Sequence, residues 1–524
     1  MTTPTLNYLT TRLPSLLPKS THLSDIPNPF RLLASLDRQN WAFFSVAFFA
    51  WTWDAFDFFT VSLTLPDLAK SFGRSRTEIT WGITLVLMFR TVGAVAFGVV
   101  GDRYGRRWGF VVNNGLFVVL ELATGFCQTY SQFLACRALF GIAMGGLYGN
   151  AAATALEDLP PIARGLMSGL LQQGYAFGYL LSTAFSRALV DTTPYGWRPL
   201  FWFGACPPVL IIGLRLLLPE TRTYQKLKME RELKHQQQQD EEEGSGQEGG
   251  TGTRKKGVTH VFWEQGKQVM RKEWLLLTYM VLLMAGFNFM SHGSQDLYPV
   301  LLDTQFLFSR DQGTTIQVIA NVGAMLGGTT VGFMSQFAGR RLSILVMCVL
   351  GGALLYPYTA TDVANQGWGR IAAAAFWEQF AVQGAWGVIP AHLMELSPAK
   401  FRTFVVGTSY QLGNLVSSAS STIESTIGER FPLPPETTPD GTVVGQRCEY
   451  GKVICIFMGC VYAYVVVLTL LGPECLGRRF DRRDSEALED TGVVFGEDHE
   501  QGFEIFQGAQ VEREKRDRKG EEAV

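Results

Sequence analysis

Twelve apolar blocks divide this chain, six on each side of a hydrophilic segment. They lie near residues 41–65, 81–101, 108–128, 131–153, 164–189 and 199–218, then 273–300, 313–335, 341–360, 369–393, 403–423 and 453–472. Each is close to the roughly 20 residues a helix needs to cross a bilayer. In lipid the backbone must satisfy its own polar groups, which leaves helices or a closed barrel, and blocks of this length are helical. The expected fold is an all-α integral membrane protein with 12 transmembrane helices. Composition agrees: 47% of residues are hydrophobic and only 18% charged.

Outside the blocks, residues 1–40 read as an N-terminal tail with a short surface helix near Phe30–Leu36. That tail has no apolar signal core, so no cleaved signal peptide is expected, and the first block would serve as the insertion signal. Residues 41–219 and 273–472 form the two helical halves, and 473–524 a charged tail. Between the halves, 220–272 contains Gln236–Gln239, the acidic run Asp240–Glu243 and a Gly/Ser-rich stretch, a composition that reads as a disordered linker. Basic residues flank the helix ends at Arg222, Lys226 and Lys228, at Arg271 and Lys272, and at Arg478, Arg479, Arg482 and Arg483. By the positive-inside rule they place both termini and the linker in the cytoplasm.

An internal repeat relates the halves. Gly98-x-x-x-Asp102-Arg103-x-Gly105-Arg106-Arg107 follows the second block, and Gly332-x-x-x-Gln336-Phe337-x-Gly339-Arg340-Arg341 follows the eighth with the same spacing. Glu157-x-x-Pro160-x-x-x-Arg164 and Glu395-x-x-Pro398-x-x-x-Arg402 form a second pair of matching motifs. The pattern resembles the major facilitator superfamily, whose two six-helix halves are parallel repeats around a site at mid-membrane. The resemblance implies that Gly98, Asp102, Gly105, Arg106, Arg107, Gly339, Arg340 and Arg341 act in conformational gating, without touching substrate.

No catalytic constellation is present. The sequence has no phosphate-cradling loop followed by Lys-Ser/Thr, no nucleophile elbow and no metal-spaced His cluster. The eight Cys are scattered without a CxxC pair, and only Cys448 falls in a loop expected outside. The expectation is a carrier, not an enzyme, with no cofactor and no metal. The net charge of −2 points to no nucleic-acid partner.

Several polar residues fall inside expected spans: Asp54 and Asp57, three residues apart on one face, then Arg90, Glu121 and Arg137. Arg137-Ala-Leu-Phe-Gly141 resembles the superfamily's fourth-helix Arg-x-x-x-Gly pattern. A buried guanidinium offers a two-donor fork suited to a carboxylate. On one reading Arg137, and behind it Arg90, binds a substrate carboxylate. On the other, it pairs with Asp54, Asp57 or Glu121 and holds helices together. Gln172, Gln173 and Gln411 are neutral hydrogen-bonding groups within spans, and Glu378, Gln379 and His392 are secondary candidates for a proton path.

The most polar intramembrane stretch is Asn288–Val300. On a helix Asn288, His292 and Asp296 recur every four residues, with Ser291, Gln295 and Tyr298 beside them. A helix end emerging into water would explain such residues, but Leu301, Leu302 and Phe306–Phe308 continue apolar beyond them. Ionisable groups at membrane depth ordinarily serve function, and a His and an Asp one turn apart can exchange protons. The stretch resembles the signature of the fungal Jen-type monocarboxylate–proton symporters, Asn-x-x-(Ser/Thr)-His-x-(Ser/Thr)-Gln-Asp-x-x-x-Thr. Asn288, Ser291, His292, Ser294, Gln295 and Asp296 match it, and Val300 stands where the signature has Thr.

The resemblance implies a plasma-membrane symporter of short monocarboxylates such as lactate and pyruvate, with acetate or propionate behind them, whose partners are the carboxylate, a proton and membrane lipid. Expected substrate contacts are Arg137, Asn288, Ser291, His292, Gln295 and Gln411. Expected proton-coupling residues are His292, Asp296, Asp54, Asp57 and Glu121. A dicarboxylate carrier, an exporter of an acidic metabolite and a non-transporting nutrient sensor are the alternatives.

Overall fold

The computed structural model describes residues 12, 14–16, 26–190, 192–244, 266–428, 430–437, 443–478 and 480. Among them, the first half comprises α1 (Arg38–Leu63), α2 (Arg76–Tyr104), α3 (Arg106–Gly125), α4 (Tyr130–Leu156), α5 (Arg164–Leu189) and α6 (Arg198–Leu217). The second comprises α7 (Trp274–Gln305), α8 (Arg310–Ala338), α9 (Arg340–Thr359), α10 (Trp368–Leu396), α11 (Arg402–Ser417, continued by Ser420–Gly428) and α12 (Tyr450–Leu471). Eight of these are long and apolar enough to cross a membrane on length and composition alone. The other four, α1, α5, α10 and α11, carry Asp54 and Asp57, Gln172 and Gln173, Glu378 and Gln379, and Gln411. Those polar residues lower the hydropathy of helices that turn a face to the centre of the protein.

The repeat is visible in the helix starts. Ser75 and Glu78 form a reciprocal cap on α2, and Ser309 and Gln312 do the same on α8. Small residues then allow close helix packing. A Cβ on Gly145 of α4 would overlap the Arg90 carbonyl oxygen of α2, and one on Gly323 of α8 would overlap the Phe376 carbonyl oxygen of α10.

The two motif pairs interlock at one face of the molecule, here the turn face. Gly105 and Gly339, at φ 109° and 92°, make the α2–α3 and α8–α9 turns in a region L side chains rarely adopt. Arg106 donates to Glu157 at 2.8 and 3.1 Å, and Arg340 donates to Glu395 at 3.0 and 3.1 Å. The second repeat lacks the Asp102 carboxylate, and there Arg340 donates to the Gln336 amide oxygen at 2.8 Å. A third correspondence escaped the sequence reading. Glu220 accepts the Arg107 main-chain N–H at the start of α3, and Glu474 accepts the Arg341 N–H at the start of α9, at 3.1 and 2.9 Å. Each carboxylate satisfies an orphan N–H at a helix N-terminus. Arg341 also donates to the Thr469 and Leu470 carbonyls and to Ser15.

The halves meet along α2 with α11, α4 with α11, and α5 with α8 and α10. Across this seam Ser168 donates to the Gly387 carbonyl and accepts the Ala391 N–H, at 2.8 and 3.0 Å. Deeper in, Tyr148 of α4 stacks on Tyr410 of α11 with ring centroids 4.0 Å apart, and Trp51 and Trp386 pack edge-on against Tyr410. All four are buried.

Three features differ from the sequence reading. The segment expected to open a disordered linker is a helix over Arg222–Gly244, which contains the Gln and acidic runs. Its first turn is fixed by contacts that composition does not reveal. Asp158 accepts the Arg222 and Thr223 N–H groups at 2.7 and 2.9 Å, and the Tyr224 hydroxyl donates to the Arg103 carbonyl at 2.8 Å. The seventh block continues past Val300 as a π-helical turn, Leu301–Gln305. Between α11 and α12 lies an antiparallel hairpin of β1 (Pro432–Thr437) and β2 (Val443–Cys448), on the face opposite the turns. Cys448 at its end is a buried free thiol. The short surface helix expected near Phe30–Leu36 is present as Pro29–Ala34. Most of the N-terminal tail, the linker from 245 to 265, and 481–524 lie outside the described residues.

Candidate functional site

The polar residues expected inside the spans gather in two facing groups. In the first half, α1, α2, α3 and α4 bring together Asp54, Asp57, Arg90, Glu121 and Arg137, each at most 4% exposed. Arg90 Nη2 lies 3.4 Å from Asp54 Oδ2, and Arg137 Nη1 lies 3.3 Å from Glu121 Oε2. Arg90 also touches Met144 and packs over Phe58, while Arg137 packs over Phe140. Asp57 interacts with the Glu121 carboxyl through their side chains and electrostatically with Arg137. Three acids therefore face two guanidiniums in a buried setting. Burial leaves one negative charge uncompensated unless one acid carries a proton.

In the second half, α7 presents His292 with Nδ1 3.1 Å from Asp296 Oδ2, the one-turn pair that the spacing implied. Side-chain exposure is 20% for His292 and 35% for Asp296, so the pair is partly accessible. His292 Nε2 lies 3.3 Å from Asn414 Oδ1, and Asn414 donates to Gln411 Oε1 at 3.4 Å. The Gln411 carbonyl in turn accepts the Thr91 hydroxyl, next to Arg90, at 3.3 Å. A polar chain thus runs from α7 through α11 to α2. Asn414 was not singled out from the sequence, although it stands three residues after Gln411 and so shares its helix face.

The remaining expected contacts are placed less directly. Asn288 is buried and donates to the Met284 carbonyl of its own helix at 2.8 Å. Ser291 is half-buried, and its carbonyl accepts the Ser294 hydroxyl. Gln295 donates to Gln379 Oε1 of α10 at 2.9 Å. Val300 is half-buried beyond Asp296. Gln173 donates to the Gly169 carbonyl and lies against Gly328 of α8. His392 is fully buried near Arg340 and Arg341, far toward the turn face.

Of the two guanidiniums, Arg90 acts electrostatically on His292, Tyr175 and Tyr410. It is the cation that faces the second half. Arg137 lies behind it with Glu121 and Asp57. The gating motif is separate from both. Asp102 lies 12 residues further along α2 than Arg90, about 18 Å along a helix.

Residues 33–486 match the model of the family described as "Sugar (and other) transporter". The chain is 39% identical over 468 residues to a carboxylic acid transporter protein homolog of Saccharomyces cerevisiae, covering 89% of this chain and 74% of that protein. It is 25% identical over 392 residues to a probable 4-methylmuconolactone transporter of Cupriavidus pinatubonensis, covering 72% of this chain and 81% of the other. Among solved structures, the major facilitator proton:xylose symporter XylE superposes with a TM-score of 0.66 at 16% identity, covering 86% of this chain and 99% of that one. With twelve long helices among the described residues in two repeats, interlocking turn motifs and the Asn288–Asp296 signature, the chain belongs to the sugar (and other) transporter family of the major facilitator superfamily, in its Jen-type branch.

Proposed function

We propose that this protein is a proton-coupled carrier of short monocarboxylates in the plasma membrane, with lactate and pyruvate as leading substrates and acetate or propionate behind them. The observation that carries the reading is the His292–Asp296 pair, 3.1 Å apart and partly exposed, with Arg90 of the other half in electrostatic range. The likeness to a yeast carboxylic acid transporter homolog supports a carboxylate cargo.

The orientation is read from the basic flanks, with the turn face, both termini and the linker cytoplasmic. The halves are then joined on the cytoplasmic side, and in this reading the partly exposed His292–Asp296 pair is reached from outside. A proton binds at His292 or Asp296, and the carboxylate docks on Arg90, displacing part of the Asp54 interaction. Asn288, Ser291, Gln295 and Gln411 line the second half of the site. Neutralising both charges lowers the penalty of closing the site over buried ions. The halves rock, the contacts at Asp102 and its neighbours in the turn motifs open, and the proton and anion leave to the cytoplasm. Arg137, favoured for the carboxylate by the Arg-x-x-x-Gly resemblance, receives it only after the Glu121 pair opens. Asp54, Asp57 and Glu121 hold the proton that balances the two guanidiniums.

A dicarboxylate cargo is the second reading. It is favoured by the presence of two guanidiniums, Arg90 and Arg137, on neighbouring helices. Competition against labelled lactate uptake in transport-deficient cells separates the two. Inhibition by pyruvate and acetate with succinate inert supports the monocarboxylate reading. Potent inhibition by succinate or malate supports the other, and uptake of neither class overturns both.

A further inference from the structure

Glu378 of α10 is fully buried and faces no cation among the described residues. Its Oε1 accepts the Tyr462 hydroxyl of α12 at 2.6 Å, while Oε2 is buried without a partner among the described residues. Around it stand Tyr298 of α7, Cys348 and Tyr358 of α9, and Tyr462 of α12, all electrically neutral groups. Glu424 of α11, also buried and with neither oxygen hydrogen-bonded among the described residues, interacts with Tyr358 and with Asp296. An ionised carboxylate here would be an uncompensated buried charge, so the surroundings accept the neutral acid.

The pocket is connected to the site. Gln295, next to Asp296, donates to Gln379 Oε1 at 2.9 Å. Gln379 also interacts with the Tyr358 hydroxyl, which donates to the Ser294 carbonyl at 2.6 Å. Tyr298 and Tyr358 stack with centroids 4.0 Å apart, and the Tyr298 hydroxyl is buried without a partner among the described residues. Unsatisfied donors and acceptors thus line a seam from the His292–Asp296 pair to Glu378. Such groups are costly unless another state or ordered water satisfies them.

We propose that Glu378 is a second proton-binding residue of the carrier, loaded and unloaded once per cycle behind the His292–Asp296 pair. The inference rests on the proton-coupled reading above. On loading, an O–H bond forms at Glu378 Oε2 as an O–H bond of a hydronium ion entering along the Gln295–Gln379 seam breaks, leaving water. On the opposite side of the cycle that bond breaks and the proton returns to water. Tyr462 keeps its own proton and acts as a positioning residue, donating to Oε1 throughout.

Glu378→Gln keeps the shape of the side chain and cannot exchange a proton. In vesicles holding the full-length protein at matched abundance, two quantities are read: counterflow of labelled carboxylate without a gradient, and accumulation under a gradient of about one pH unit. Each coupled proton supports about tenfold accumulation at such a gradient. Glu378→Gln is expected to keep counterflow and lose about tenfold in accumulation. Wild-type accumulation in Glu378→Gln overturns the inference while leaving the symport reading intact. Loss of counterflow as well also overturns it, because the residue then serves binding or packing. If the wild type itself shows no gradient-driven accumulation, the symport reading fails and this inference with it. Should Glu378→Gln not reach the membrane, Tyr462→Phe is read instead: a displaced pH profile of accumulation with counterflow intact supports the role of Glu378, and a wild-type profile opposes it.

Discussion

The Asp102 carboxylate of α2 accepts the main-chain N–H of Phe404 at the start of α11, at 2.8 Å and across the two halves. Its other oxygen accepts the Thr403 N–H at 3.1 Å and also meets Arg106. Gly98 permits the approach, because a Cβ there would lie 2.6 Å from the Phe404 Cα. The corresponding Gln336 accepts from Arg340. Only the first repeat carries a carboxylate at this inter-half latch. Asp102→Asn should weaken it, since hydrogen bonds to a charged group contribute about 1.5–3 kcal/mol. The expected result is at least about a tenfold shift toward the state open at the turn face. Labelling of a cysteine placed at Val99 from that side checks it, and unchanged labelling opposes a gating role.

A second latch involves the C-terminal segment. The Phe480 ring is buried, with the Arg164 guanidinium 3.6 Å and the Arg402 guanidinium 4.0 Å from its centroid, one from each half. Cation–π contacts contribute about 0.5–2 kcal/mol each. Phe480→Ala should shift the Val99 cysteine readout in the same direction as Asp102→Asn, and Phe480→Trp should restore it. An effect of Phe480→Ala on abundance alone would count against the latch.

The two guanidiniums should separate kinetically. Arg90→Lys keeps the charge and loses the planar fork, so KM for the carboxylate is expected to rise about tenfold with surface abundance unchanged. Arg137→Lys, which disturbs the Glu121 and Asp57 cluster, should lower abundance or proton coupling more than KM. The opposite assignment of effects would make Arg137 the docking cation.

Asn414→Ala removes the contact that orients the His292 ring from α11. A neutral hydrogen bond contributes about 1 kcal/mol, so uptake at acid pH should fall about five-fold, with partial rescue by Asn414→Gln. Val300→Thr should alter substrate preference more than abundance, as measured by competition among lactate, pyruvate and acetate. A change in abundance alone would contradict that.

Much of this was legible in the sequence because membrane helices announce themselves by length and apolarity, and repeats by identical spacing. The His292–Asp296 contact follows from helical periodicity alone. What the sequence could not show is which partners a buried charge chooses among neighbouring helices. Arg90 and Arg137 had three candidate acids between them, and only the packing of α1 to α4 assigns Asp54 to one and Glu121 to the other. The Arg222–Gly244 helix was missed because Asp158 and Arg103, which anchor its first turn, are distant in sequence. Glu220 and Glu474 were missed because a single Glu after a Pro carries no visible periodicity, although it stands at matching places in the two halves.

In the proposed cycle a proton bound at the His292–Asp296 pair drives carboxylate entry. The direct measurement is uptake of labelled lactate at acid pH in transport-deficient yeast, with and without a protonophore, for the wild type and His292→Ala at equal surface abundance. Wild-type uptake is expected to be abolished by the protonophore and absent in His292→Ala. Uptake that persists when the gradient is collapsed, or that His292→Ala retains in full, would contradict it.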